Sequence, residues 1–261
     1  EQAEEGKAYP YGTEIKTGGR SSANVVFSEG NARKLLANTQ AAVTGKKKKA
    51  KTIELSGGEV EANLPVGYDK TGDSVSIKTP TAICKAIGGK FSVVSKLESS
   101  FRLVIIRATE GSLSVSGEYY DIPALEKGDW VSLLSPRDRS FLRLKNMKGK
   151  YDVKIVDENF EEKSIPTKVG SVLKIWQRKV AETGEIVVTT MIILQGQAKE
   201  TVTVTYPAGK AKKGWTGDIP DDGVVKKDVP VLDPEPIVPT PPTTTTTTTT
   251  TKPDPTPVGK K

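Results

Sequence analysis

Residues Asp73 to Val94 read DSVSIKTPTAICKAIGGKFSVV. Apolar and polar residues alternate as far as Thr79-Pro80, an apolar run stops at Gly88-Gly89, and a third alternating stretch starts at Phe91. Successive side chains of a strand point to opposite faces, so alternation with period two marks a half-buried strand. Proline cannot donate to a ladder and glycine has no side chain to pack, so each reads as punctuation. The stretch predicts three successive strands of a compact β structure. It does not read as an active site.

The same grammar recurs along the chain. Val25 and Phe27 share a face of SANVVFSEGN; Leu103, Ile105 and then Leu113, Val115 flank a turn at Glu110-Gly111. Val131 and Leu133 follow Lys127-Gly128-Asp129, Tyr151, Val153 and Ile155 alternate, and so do Leu173 and Ile175. EIVVTTMIIL is a continuous apolar run, which predicts a strand covered on both faces. ETVTVTY sets Thr201, Thr203 and Thr205 against Val202, Val204 and Tyr206. Residues 32–43, ARKLLANTQAAV, fit a helix or a short strand and loop equally. Many short strands between Gly, Pro, Asp and Asn turns predict an all-β class, either a short-strand solenoid or roll or a sandwich-like domain.

Composition sets the limits. Lys and Arg number 39 against 32 Asp and Glu, a net charge of +7, which favours acidic partners. The chain has no histidine, which removes the commonest general base and metal ligand. Its single cysteine, Cys84, rules out an intrachain disulfide and a cysteine-cluster zinc site, and its place in TAIC predicts a buried small apolar residue. No apolar run reaches the 18 or so residues of a membrane span. The first residue is Glu1 rather than Met, which is expected of a chain whose signal segment has been removed.

Beyond Tyr206-Pro207 the composition changes to a Gly/Lys/Asp linker with Trp215, then VPVLDPEPIVPTPP, nine threonines (Thr243 to Thr251) and KPDPTPVGKK. Dense proline forbids helix and ladder and favours an extended chain of about 3.1 Å per residue. The expected organisation is a leader over 1–8, a β-domain over 9–145, additional strands over 146–206 and a disordered Lys/Pro/Thr-rich tail over 207–261. The tail reads as a stalk with threonines open to glycosylation, or as an unconstrained end.

Few motifs point to chemistry. IGGKFS (Ile87 to Ser92) lacks the spacing and the following helix of a phosphate-binding loop. YDKTGDS (Tyr68 to Ser74) and IPDDGV (Ile219 to Val224) are oxygen-rich, but neither has a calcium loop's spacing or terminal Glu. Glu54, Glu59 and Glu61 lie close together, with Glu59 and Glu61 on one strand face; without aromatic sugar platforms nearby they read as surface carboxylates. Lys46, Lys47, Lys48 and Lys49, with Lys51, form a basic loop suited to an anionic partner. No aromatic residues interleave with them, so a base-stacking nucleic-acid surface is not indicated. Trp130 and Trp176 fall in strand patterns as core or half-buried residues.

Five segments in order resemble a known family. GTEIKTGGRSSANVVFSEGNARKLLANT (Gly12 to Thr39), IELSGGEVEANLP (Ile53 to Pro65), SIKTPTAICKAIGGKFSV (Ser76 to Val93), RATEGSLSVSG (Arg107 to Gly117) and ALEKGDWVSL (Ala124 to Leu133) resemble the successive strands of a FecR domain. The third is the most distinctive, although Gly89 stands where the family usually has threonine. The resemblance spans about residues 9–135 and implies an all-β domain of the bacterial periplasm or envelope. In the best-known members that domain relays a signal from an outer-membrane iron-siderophore transporter to a cytoplasmic sigma factor, behind an anti-sigma bundle and a transmembrane helix. This sequence shows neither of those two segments.

The expected function is a non-enzymatic binding or sensing module of the envelope, without cofactor or metal. Its partner would be an envelope protein or an anionic cell-wall polymer rather than nucleic acid. The rivals are a structural building block on a Thr/Pro stalk and, less favoured, a hydrolase using Glu59 and Glu61. The expected location is periplasmic or secreted.

Overall fold

A computed structural model describes residues 4, 6–27, 32–46, 50–64 and 74–208. Among them there is no helix, and sixteen strands join one hydrogen-bonded network. In chain order they are β1 (Glu14–Lys16), β2 (Ala23–Val26), β3 (Ala32–Leu35), β4 (Gln40–Lys46), β5 (Ala50–Leu64), β6 (Ser74–Lys78), β7 (Ile83–Glu98) and β8 (Phe101–Ser116). They continue as β9 (Asp121–Leu125), β10 (Trp130–Pro136), β11 (Phe141–Lys148), β12 (Lys150–Val156), β13 (Glu162–Lys168), β14 (Val172–Lys179), β15 (Ile186–Leu194) and β16 (Gln197–Tyr206). The segment that fitted helix or strand becomes β3, a turn with Asn38 at φ 55°, and β4. The all-β expectation holds. The expected boundary after residue 145 falls inside β11, so no element ends there.

Two expected breaks are bends instead. β7 runs through Gly88-Gly89 and β8 through Gly111, each for 16 residues. Their ladder continues across the bend, with Gly88 opposite Ser112 and Gly89 opposite Gly111, and shifts register by a bulge on either side. A bulge adds a residue to one strand and turns it without ending the pairing. Gly89 has φ +95°, and a Cβ there would lie 2.0 Å from the Glu110 carbonyl oxygen. Only glycine meets both conditions.

The bends split each long strand between two layers. Residues 50–57 of β5 pair with β4, whereas residues 58–64 pair with β7 and, over 60–62, with β3. β8 pairs with β10 over 101–107 and with β9 over 113–116. One layer therefore runs β2-β3-β5-β7-β8-β10-β11-β14-β15-β16, and the other runs β1-β4-β5-β6-β7-β8-β9-β12-β13. Only β5 and β6 are parallel among the described pairs. Stacked solenoid rungs would be parallel, so the sequence's open choice resolves to a sandwich with shared, bent strands.

The side chains between the layers form one apolar cluster, which includes Leu35, Ile53, Val60, Val93, Val104, Ile106, Leu133, Leu144 and Ile175. Cys84 is fully buried there. Val202 and Val204 are buried while Thr201, Thr203 and Thr205 are exposed, as their alternation requires. β15 departs from its expectation. Ile186, Val188 and Ile192 are buried, but Val187, Thr189 and Met191 are half-covered, so its second face is open to solvent in part.

Candidate binding face

The expected lysine loop does not assemble in the described structure. Lys47, Lys48 and Lys49 lie outside the described residues, and Lys46 is the last residue of β4. Lys51 is a correction: it sits in β5 on the inward side with Ile53 and Leu55, is 4% exposed, and holds its Nζ 5.6 Å from the Phe27 ring centre. Burial takes it out of any solvent-facing group. The segments YDKTGDS (except Ser74) and IPDDGV, and Trp215, also lie outside the described residues.

A different basic surface emerges from strand register. On the outer side of the longer layer, Lys34, Glu61, Ser92, Arg107, Trp130 and Lys148 stand opposite one another across β3, β5, β7, β8, β10 and β11. Further along the same face, Lys96, Leu103, Leu134, Arg143 and Lys174 form a parallel row. Lys145 lies between the rows, two residues from Arg143. Side chains directly across a ladder lie on one face, so pairing alone brings these residues together. Leu103, Leu134 and Arg143 are buried within the face, and the longer side chains rise around them.

Trp130 anchors one end. The Arg107 guanidinium lies 4.5 Å from its ring centre and the Lys148 ammonium 6.0 Å, both within reach of a cation–π attraction. At the other end Phe141 and Trp176 pack at 5.4 Å between ring centres. Both tryptophans are half-buried, as their strand patterns required. The pairing of Arg107 with Trp130 has no signature in the sequence, because the two are 23 positions apart and the β8–β10 register alone aligns them.

The carboxylates divide. Glu54 faces Lys78 across the β5–β6 pair, 3.6 Å from its ammonium, on the half of β5 before the bend. Glu59 and Glu61 lie beyond the bend on the basic face. Burial raises the Glu59 pKa and the neighbouring Glu61 adds to this, while Arg107 and Lys96 oppose it. Lys34, Lys96, Arg107, Lys145, Lys148 and Lys174 outweigh these two carboxylates, so the face is positive in balance.

Elsewhere, burial pushes the Cys84 thiol well above its ordinary pKa, which keeps it un-ionised and inert. Among the described residues no group of three or more Asp, Glu or Cys side chains is placed to hold a metal ion. No helix among them is long and apolar enough to cross a membrane.

Residues 13–112 match the family model described as "FecR protein". No curated protein matches the chain. Two crystal structures, each described as a "putative anti-sigma factor from Parabacteroides distasonis ATCC 8503", are 20% and 21% identical over 51% of this chain, each with a TM-score of 0.42. The chain spans 59% of the length of each of those chains.

Proposed function

Because residues 13–112 of this chain match the FecR family model, we propose that the protein is a non-enzymatic binding and sensing module of the bacterial envelope. Its outer sheet face contacts an acidic envelope protein or an anionic cell-wall polymer. The observation that carries this reading is the positive face anchored by Trp130 and Arg107. A sheet face of fixed register needs no backbone ordering on binding, so the entropy lost is that of the lysine side chains alone. The charge balance steers an acidic partner, and the attraction weakens as salt shortens the Debye length. The chain works in the periplasm or outside the cell, where such polymers are met.

The test is crosslinking and recovery from envelope extracts, comparing the native protein with the triple variant Lys96→Glu, Lys145→Glu, Lys174→Glu. A specific protein or polymer should be recovered by the native chain at low salt, about tenfold less at 0.5 M salt, and barely by the variant. Equal recovery by both proteins, or recovery of no specific partner, removes this reading.

A further inference from the structure

The basic face carries an order of its own between β8 and β14. Strand register fixes where its cations stand. Arg107 is opposite Trp130 and Trp130 opposite Lys148, Ser132 is opposite Lys145, and Arg143 is opposite Lys174. With strands about 4.8 Å apart and residues about 3.4 Å apart along them, the Cα positions of Arg107, Lys148, Lys145 and Lys174 follow one another in steps of about 8–10 Å. Trp176 lies two residues beyond Lys174 on β14 and ends the track. The line runs diagonally across the sheet, with one indole beside its first cation and another past its last.

The protein's own carboxylates do not occupy these cations. Lys78, Lys90, Lys154 and Lys163, off the track, each hold a carboxylate. Among the described residues, Lys145, Lys148 and Lys174 have no ion pair or hydrogen bond. The Arg107 guanidinium has only the Trp130 ring and the longer-range pull of Glu59. A guanidinium stacked on an indole is pre-organised, and its planar fork matches a carboxylate by two parallel hydrogen bonds. The large apolar side chains that stand exposed among the described residues, such as Val26, Leu97 and Phe160, lie outside β8, β10, β11 and β14. Protein interfaces carry an apolar centre inside a polar rim, and the track lacks that centre.

Resting on the reading of this face as a binding face, we infer that the track holds an acidic polysaccharide with one carboxylate in each disaccharide. Successive sugars of an extended β-linked chain turn over, so every second ring presents the same edge. Such a disaccharide advances by close to one step of the track. Each carboxylate then meets one cation, the first of them in the Arg107 fork, and the neutral sugars pass between. A chain charged at every sugar would bring two carboxylates to each cation and leave half of them unpaired. The Trp176 ring takes the C–H face of the sugar beyond the last carboxylate. A polyphosphate or a polyglutamate offers the charges without that ring.

The experiment is a calorimetric and tryptophan-fluorescence titration of the full chain at low salt. The probes are a hyaluronan octasaccharide, charged at every second sugar, an oligogalacturonate with the same number of carboxylates, poly-L-glutamate and polyphosphate. The hyaluronan probe should saturate, change the indole emission, and bind at least tenfold more tightly than the oligogalacturonate. Lys145→Ala combined with Lys174→Ala should weaken it at least tenfold. Arg107→Lys, which keeps the charge and loses the fork, should weaken it severalfold. Trp176→Leu should also weaken it severalfold and leave poly-L-glutamate unaffected. Galacturonate, glutamate or phosphate chains bound as tightly as hyaluronan, or hyaluronan binding unchanged in the lysine and Arg107 variants, overturns the inference. Poly-L-glutamate held on the same lysines while hyaluronan is not overturns it and keeps the acidic-protein reading of the face. Binding by none of the probes overturns it too, and removes the reading of the face as well where envelope extracts yield no partner.

Discussion

At the scale of single residues, the bends rest on glycine and burial raises the pKa of two interior acids, Glu118 and Asp129. Gly89→Ala puts a Cβ 2.0 Å from the Glu110 carbonyl at φ +95°, and we expect a loss of about 4 kcal/mol or more. Gly128 has nearly the same φ, +92°, with open space around it, so Gly128→Ala should cost only about 1–2 kcal/mol. Urea unfolding of the two variants separates the close approach from the backbone strain. Glu118 provides a pH test. Burial raises its pKa above 4.5, against the smaller opposing effects of the Tyr119 hydroxyl and Arg139. The folded state thus holds the proton more tightly than the unfolded one. This contribution to stability is complete below 4.5 and is lost as pH rises through the raised value. Glu118→Gln removes that loss, so its Tm should exceed the native value at pH 7 and equal it near pH 4. A lower Tm at pH 7 would show that the charged form is the stabilising one.

At the scale of elements, the β5 bend is held by a side-chain clasp. Thr39, almost fully buried, donates through Oγ1 to the Glu59 carbonyl at 3.1 Å and accepts from the Glu59 amide at 3.0 Å. Thr39→Val leaves the Glu59 amide unmatched, while the Glu59 carbonyl keeps the Leu36 amide at 3.0 Å, and we expect a cost of about 1–3 kcal/mol by thermal unfolding. The outward pair Thr189 and Thr203, 3.2 Å apart on an exposed face, provides the contrast: Thr203→Val should stay within about 0.5 kcal/mol.

Much at this scale was legible in the sequence. The β16 alternation separates Val202 and Val204 from the outward threonines, and TAIC places Cys84 inside. Alternation records which way side chains point, and burial follows it. Lys51 was legible too, by parity with Ile53 and Leu55, but its lysine neighbours gave the stretch the look of a loop. Gly88-Gly89 and Gly111 were legible as special positions but not as bends, because a bulge and a strand end use the same residue. The alignment of Arg107 with Trp130 was not legible. It depends on long-range register, which no local pattern encodes.

At the scale of the whole molecule, the FecR match and the folding unit have different extents. The match ends at residue 112, yet β8 needs β10 on its first half and β9 on its second, and the apolar cluster draws on Leu144, Leu173 and Ile175. A fragment of residues 13–112 therefore lacks the β9 and β10 partners of β8 and part of its apolar cluster. We expect it to give collapsed amide dispersion and no cooperative urea transition, and a sigmoidal transition like that of the intact chain would refute a shared core.

Among the described residues, β16 closes one edge of the longer layer and is bonded to a single neighbour, β15, with Tyr206 opposite Ile186. The chain departs from that end, so tension drawn through residues beyond Ala208 falls first on Tyr206. Antiparallel ladder bonds lie across the strands, and a pull that lifts one strand from its end ruptures them in sequence, like a zipper, instead of all together in shear. The Tyr206 ring, 5.6 Å from Tyr119 and 5.7 Å from Phe160, sits at the first tooth. It sets the force at which the protein begins to yield, and Tyr206→Ala should lower the first rupture force in an optical trap loaded from the C-terminus.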